Sequence, residues 1–196
     1  MKNVFLAILL LSPFVSEAQI FKAAVALGVN LAQVDGDNSA GYHKPGLNLG
    51  PKVYTMFNDK FSLSMEMLYS QKGARSTINE FSAANAFKIF FDYAEVPILF
   101  NFHDRDRAIF GIGASYNALI RQKVIQGGID ITDDVPEINS YDVNFIADVT
   151  FRFKERFGIN GRYAYSILPI AKWESSNFKG NSVYNNVISF RAMYFF

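Results

Sequence analysis

The sequence contains no cysteine, only one tryptophan and no excess of charge of either sign. Its 196 residues include 19 basic and 18 acidic side chains, a net charge of +1. The absence of cysteine excludes a disulfide framework, a thiolate nucleophile and cysteine-based zinc sites. The balanced charge gives no electrostatic case for nucleic-acid binding. The length suits one domain, and the 20 phenylalanines and 10 tyrosines favour strands over helices.

Long apolar runs are also scarce, and the one that stands out lies at the start. Lys2 precedes an apolar run over 4–15, and 16–18 then place small residues at the −3 and −1 positions of a cleavage site. This pattern predicts a cleaved signal peptide over 1–18 and a mature domain over 19–196. A membrane anchor is the alternative, but the run is shorter than the roughly 20 residues that a spanning helix needs. We therefore expect an exported chain, either soluble or inserted as a barrel.

Apolar and polar residues alternate along eight segments of the mature chain. The segments are 24–31, 47–57, 61–70, 94–102, 110–117, 143–153, 157–167 and 188–196. Alternation of this kind predicts strands with one apolar and one polar face. A tilted membrane strand needs about 9–11 residues, and bacterial outer-membrane barrels have an even number of strands. Pro51 and Pro97 interrupt two segments and predict β-bulges close to them.

The connections alternate between short and long. Short polar links lie at 58–60, 103–107 and 154–156, and long links lie at 35–44, 72–88, 121–140 and 168–184. Aromatic residues lie beside both kinds of link: Phe57, Phe61, Phe102, Phe153, Phe157 and Phe196 near the short ones, and Tyr69, Tyr116, Tyr141 and Tyr165 near the long ones. Outer-membrane barrels have short periplasmic turns, long outer loops and two aromatic girdles. We therefore expect both termini on the periplasmic side.

The contents of the two faces decide which one points outward. A soluble lipocalin-like barrel would turn its apolar face inward around a ligand. Here the apolar face is bulky and nearly free of charge, whereas the polar face carries small and ionic residues that suit the narrow interior of eight strands. The sequence therefore predicts an all-β fold: an eight-stranded, antiparallel, up-and-down transmembrane β-barrel in the outer membrane.

Six charged residues then face inward near mid-height: Lys52, Glu66, Glu95, Asp148, Arg162 and Arg191. Adjacent strands place Lys52 beside Glu66 and Asp148 beside Arg162. Unpaired charges are costly in a narrow interior, so we expect these to pair into a neutral network that plugs the lumen. A proton or ion path is the alternative. No catalytic, cofactor-binding or metal-binding residue is predicted.

Basic residues near the long links suggest a lipid partner. Lys72, Arg75, Lys88, Arg121 and Lys123 are predicted to rim the outer face, where they could meet lipopolysaccharide phosphates. Ordinary solvated loop charges are the alternative. The link over 121–140 is acidic but interleaves apolar residues, so it either extends a hairpin above the membrane or meets a partner.

One group near the first long link could support an enzyme. His43 lies close in sequence to Asp35, Asp37 and Ser39, a set that a hydrolase or acyltransferase could use. A solvated loop is the simpler interpretation, and we predict no enzymatic activity. His103 falls at the opposite end of the barrel from His43, so a metal site shared by these two residues is not expected.

The order of several short motifs resembles the PorT-like outer-membrane β-barrel family. These motifs are Gly28–Leu31, Gly46–Gly50, Glu66–Gly73, Tyr93–Pro97 and Gly111–Gly113, followed by the aromatic C-terminus. The resemblance implies a membrane barrel of this size and a link to protein secretion across the outer membrane. We expect a structural, anchoring or protein-interaction role, with outer-membrane lipids, lipopolysaccharide and an unknown protein as partners. The alternatives are a small porin, a lipid-modifying enzyme or a soluble ligand-binding barrel.

Overall fold

The computed structural model describes residues 21–36, 41–76, 86–105, 107–134, 138–171 and 182–196. The predicted signal peptide lies outside these ranges. The strands are β1 (Lys22–Asp35), β2 (Lys44–Met56), β3 (Phe61–Glu66), β4 (Leu68–Arg75), β5 (Phe87–Asp104), β6 (Ala108–Gln126), β7 (Ile129–Asp130), β8 (Tyr141–Lys154), β9 (Phe157–Ser166) and β10 (Tyr184–Phe195), and a 3-10 turn spans Thr132–Asp134. No helix among the described residues is long and apolar enough to cross a bilayer.

The strands form one antiparallel sheet that closes on itself. The first strand, β1, pairs with β2 on one side and with β10 on the other. β3 and β4 lie end to end between β2 and β5, and β7 pairs only with the end of β6. The ten strands therefore occupy eight positions around the barrel, in the up-and-down order that the alternating segments predict.

The separation of β3 from β4 has a local cause. The backbone N–H of Met67 donates to the carbonyl oxygen of Pro51 at 3.0 Å. Pro51 has no N–H to return, so one rung of the ladder is missing. The bulges predicted near Pro51 and Pro97 are wrong, because the pairing passes both prolines without a shift of register. The shift in the β5–β6 pair instead lies between Asp92 and Tyr93.

The two faces of the wall have the predicted orientation. Leu27, Ile112 and Phe190 point outward and are 58%, 54% and 56% exposed, whereas inward-facing residues such as Asn30 and Thr150 are buried. A soluble barrel with an apolar interior and a polar exterior is therefore excluded. Both aromatic girdles form: Phe61 lies 5.4 Å from Phe100 near the short turns, and Tyr116 lies 5.9 Å from Tyr141 near the long connections (ring centroids).

We call the end of the barrel with the long connections the long-loop end. Three strands continue beyond the apolar belt there. We call residues 72–75 of β4, 87–92 of β5 and 121–126 of β6 the raised sheet; these residues pair across the three strands. Polarity reverses here, since Phe87, Ile89 and Phe91 are buried inside while Lys88 is exposed outside. The prediction that 72–88 and 121–140 are connections is therefore wrong at their strand-proximal ends.

Candidate functional site: the filled lumen

A buried ion network crosses the lumen at mid-height, with Glu66 at its centre. The Glu66 Oε1 atom lies 3.3 Å from Lys52 Nζ and accepts a hydrogen bond from Arg162 Nη2 at 2.8 Å. Its Oε2 accepts one from Arg191 Nη1 at 2.9 Å. This one carboxylate on β3 thus contacts three cations: Lys52 on the neighbouring strand β2, and Arg162 and Arg191 on β9 and β10 across the lumen.

Asp148 on β8 completes this network. Its Oδ2 atom accepts hydrogen bonds from Arg162 Nη2 at 2.7 Å and Arg162 Nε at 3.1 Å, and lies 3.5 Å from Arg191 Nη2. The Nε and Nη2 atoms of Arg191 also donate to Asn160 Oδ1, at 2.9 and 2.7 Å. Five of the six charges proposed from the sequence therefore share a single network.

The sixth, Glu95, belongs to a second network nearer the long-loop end. Its Oε2 atom lies 3.5 Å from Lys72 Nζ, which is 3.9 Å from Asp142 Oδ2 and donates to Asn144 Oδ1 at 2.6 Å. Lys72 was predicted on the outer rim, and that placement is wrong. The side chain is 1% exposed, because β4 runs on past Ser70 and the next inward position falls on Lys72.

The two networks are electrically balanced when taken together. They contain four cations and four carboxylates: Lys52, Lys72, Arg162, Arg191, Glu66, Glu95, Asp142 and Asp148. Asp142 was missed because the alternating pattern places the start of that strand at Val143. A buried charge is tolerated only when it is paired and hydrogen-bonded, so this balance is what permits eight ions inside so narrow a barrel.

Apolar residues close the lumen above the second network. This apolar cap consists of Val34, Ala74, Phe87, Ile89, Phe91, Tyr93, Val124, Ile138, Ile170, Ala171 and Val183. Part of it comes from the described ends of two long connections, 138–140 and 168–171, which are joined by backbone hydrogen bonds such as Asn139 N–H to the Ile170 carbonyl at 2.8 Å. At the other end of the lumen, near Lys52 and His103, a void of about 10 Å³ remains, close to the lower limit for one water molecule.

Gly111 makes room for the lower network. A methyl group at this position would lie 2.5 Å from Asp148 Oδ1 and 2.9 Å from Asn101 Oδ1. We expect Gly111→Ala to cost about 1–3 kcal/mol of unfolding free energy, the usual cost of overpacking. Gly161→Ala is the matched control, since a methyl group added there would have no other atom within 4 Å. Urea unfolding of both variants in lipid vesicles measures the difference. Equal stabilities would show that the side chains of Asp148 and Asn101 move aside to accommodate the added methyl group.

Among the described residues, those considered for catalysis or metal binding do not come together. Asp35 accepts hydrogen bonds from Gln33 at 2.5 Å and from Asn186 at 3.1 Å, and no bond to His43 is formed among the described residues. Asp37 and Ser39 lie outside the described residues. His103 belongs to β5 and not to a turn, and its Nε2 is 2.8 Å from Ser62 Oγ. No group of side chains suited to a metal ion occurs in the described ranges.

The acidic link after β6 begins as a hairpin. Ile129 and Asp130 pair with Gln126 and Ile125, so the hairpin extends above the apolar belt. Hydrogen bonds from the hydroxyl and backbone N–H of Thr132, the first of them 2.6 Å long, hold the pKa of Asp130 below its usual range.

A closed antiparallel sheet with an apolar outer belt, two aromatic girdles and an ionic interior defines a transmembrane β-barrel. The family comparison agrees: residues 17–172 match the model described as outer membrane protein beta-barrel domain. The chain belongs to this family, and its location is the outer membrane. No curated protein sequence matches the chain.

Solved structures of outer-membrane proteins share the fold. The attachment invasion locus protein Ail of Yersinia pestis is 18% identical, with a TM-score of 0.55 over 89% of this chain and 98% of that chain. Ail in complex with the heparin analogue sucrose octasulfate gives 16% identity and a TM-score of 0.53, over 90% and 99%. Neisserial surface protein A is 14% identical, with a TM-score of 0.52 over 90% and 97%. These likenesses concern the fold alone.

Proposed function

We propose that this outer-membrane barrel is a closed, non-catalytic anchor that holds the raised sheet outside the cell for contact with another component. The observation that carries the proposal is the filled lumen. Two ion networks, which together are electrically balanced, occupy the middle, and the apolar cap covers the long-loop end. A water-filled pore needs an open polar path, and small barrels lack one when side chains fill the interior.

The reversal of polarity supports an extracellular role for the raised sheet. Apolar residues inside and charged residues outside are typical of a sheet in water, not of a wall in lipid. The short turns then lie in the periplasm together with both termini. Outer-membrane lipids surround the apolar belt in this arrangement.

The closed lumen makes a direct prediction for electrical recording. We expect the refolded mature chain in planar bilayers to show no steady open conductance at moderate voltage, because side chains of the described residues fill the lumen at the two networks and the cap. A 16-stranded porin recorded in the same lipid serves as the positive control. A stable, reproducible conductance step that belongs to the purified monomer would contradict the proposal and favour the small-porin alternative.

The identity of a protein partner is a separate and narrower proposal. The ordered motifs that resemble the PorT-like family support a partner in protein export across the outer membrane. Cross-linking in native membranes, with a photoreactive residue in place of Lys123, would capture a partner at the raised sheet. Capture of export components at Lys123, but not at Lys154 at the short-turn end of β8, is the expected result. Capture of none would remove the secretion role and leave the anchor.

A further inference from the structure

The outward face of the raised sheet carries four cations: Arg75, Lys88, Arg121 and Lys123. Arg75 on β4 and Lys88 on β5 are exposed and lie directly opposite each other in the register. Like charges in such cross-strand positions destabilise a sheet. Among the described residues, neither side chain has a carboxylate within 4.0 Å. Within the described part of the chain this pair of cations has no compensating carboxylate, and an anionic ligand would relieve the repulsion.

The other two cations are fixed beside this pair. Arg121 binds Asp92 Oδ2 through Nη2 at 2.6 Å and through Nε at 2.8 Å. Lys123 Nζ lies 3.2 Å from Asp130 Oδ2, and both side chains are about half exposed. Phe90 lies opposite Lys123 in the register and two residues from Lys88 on the same face of β5. Its ring therefore separates Lys123 and Arg121 from the Arg75–Lys88 pair. Asp130, Asp133 and Asp134 line the same surface hollow as Arg121 and Lys123. On the described outward face the positive charge without a paired carboxylate is therefore that of Arg75 and Lys88, with the Phe90 ring beside them.

The height of this face above the apolar belt limits what it can meet. On β5 the outward apolar run begins at Ala94, and Lys88 lies six residues before it, toward the long-loop end. At about 3.3 Å per residue and a tilt of about 40°, Lys88 lies roughly 15 Å above the edge of the belt. The headgroup layer of an ordinary bilayer extends only about 5–8 Å beyond the hydrocarbon core, so an anionic lipid group at the height of Lys88 must belong to a large headgroup such as that of lipopolysaccharide.

We infer that Arg75 and Lys88, flanked by Arg121 and Lys123, form a docking surface for the anionic headgroup of lipopolysaccharide. The inference rests on the proposed function for the extracellular position of the raised sheet, and it names a partner for that sheet. Arginine binds phosphate or carboxylate in a two-point geometry, and lysine adds a point charge. Lys72 has no part in this surface, because it is buried in the lumen.

Binding to the folded mature barrel in zwitterionic detergent tests the inference. The Arg75→Glu/Lys88→Glu variant is compared with Lys60→Glu/Lys154→Glu, which makes the same charge change at exposed positions at the short-turn end of the barrel. Titration with purified lipopolysaccharide is expected to show at least a ten-fold loss of affinity for the first variant, at about 1 kcal/mol per basic residue near an anionic surface, and less than a two-fold loss for the second. Dephosphorylated lipopolysaccharide should bind the unmodified barrel more weakly.

Two further ligands separate the sources of anionic charge. Phosphatidylglycerol and a soluble sulfated oligosaccharide are titrated in parallel. Unchanged affinity of Arg75→Glu/Lys88→Glu for lipopolysaccharide, or equal losses in both variants, would overturn the inference. It would also be overturned if the sulfated oligosaccharide or phosphatidylglycerol bound as tightly as lipopolysaccharide. If the charge-reversal variant Arg75→Glu/Lys88→Glu fails to fold, the neutral variant Arg75→Gln/Lys88→Gln takes its place in the titration. An open conductance would reject the closed anchor without changing these binding results.

Discussion

Replacing Glu66 by glutamine is expected to destabilise the barrel by about 3–5 kcal/mol, because three buried cations lose the carboxylate that they share. Lys52, Arg162 and Arg191 would then face only Asp148 within this network. The loss is measured as the free energy of unfolding in urea, with the barrel folded in lipid vesicles. Removal of one partner from a buried pair costs more than the pair itself contributes, since the remaining charges keep their desolvation penalty.

Two variants show whether the loss comes from the uncompensated charge. Glu155→Gln changes the same group in an exposed turn and should alter stability by less than about 0.5 kcal/mol. Glu66→Met combined with Arg191→Met removes one charge of each sign and keeps the network's net charge. We expect this double variant to be more stable than Glu66→Gln. A double variant that is less stable would show that side-chain packing, not charge balance, dominates at this position.

Placing a charge on the lipid-facing side of the barrel should lower the free energy of unfolding about as much as Glu66→Gln does. Ile112 is 54% exposed and lies on β6 between the exposed aromatics Phe110 and Tyr116, near the middle of the apolar belt. We expect Ile112→Arg to cost about 2–4 kcal/mol in a bilayer, the range for arginine at the midplane of a membrane barrel. Urea unfolding in vesicles provides the measurement.

The control for this variant lies on the same hairpin but above the belt. Ile129 is 70% exposed on β7, so Ile129→Arg makes the same chemical change in water. We expect no more than about 0.5 kcal/mol there. Equal costs at the two positions would contradict the position of the membrane that the exposed apolar belt implies. Because detergent surrounds the same belt, the contrast between the variants should also be present in micelles.

The alternating pattern of the sequence was enough to predict the wall of the barrel. Each of the eight alternating segments lies wholly or largely within the strands, including β3 and β4 as two parts of one segment. The contents of the faces also indicated the correct orientation, since only lipid accommodates an outer face as bulky and uncharged as that of Leu27, Ile112 and Phe190. The proximity of Glu66, Arg162 and Arg191 could not be predicted as a three-way contact, because they come from opposite sides of the lumen.

The level at which the wall leaves the membrane was decided by the tertiary structure. Alternation has a period of two everywhere along a strand, but it does not show at which residue the surroundings change from lipid to water. Lys88 and Lys123 therefore looked like loop residues, and Lys72 like a residue of the rim. Strand pairing settles their positions, since it turns Lys72 toward Glu95 and leaves Lys88 outside opposite Arg75. Local sequence determined the faces of the strands; closure of the sheet determined their extent and the partners of the buried charges.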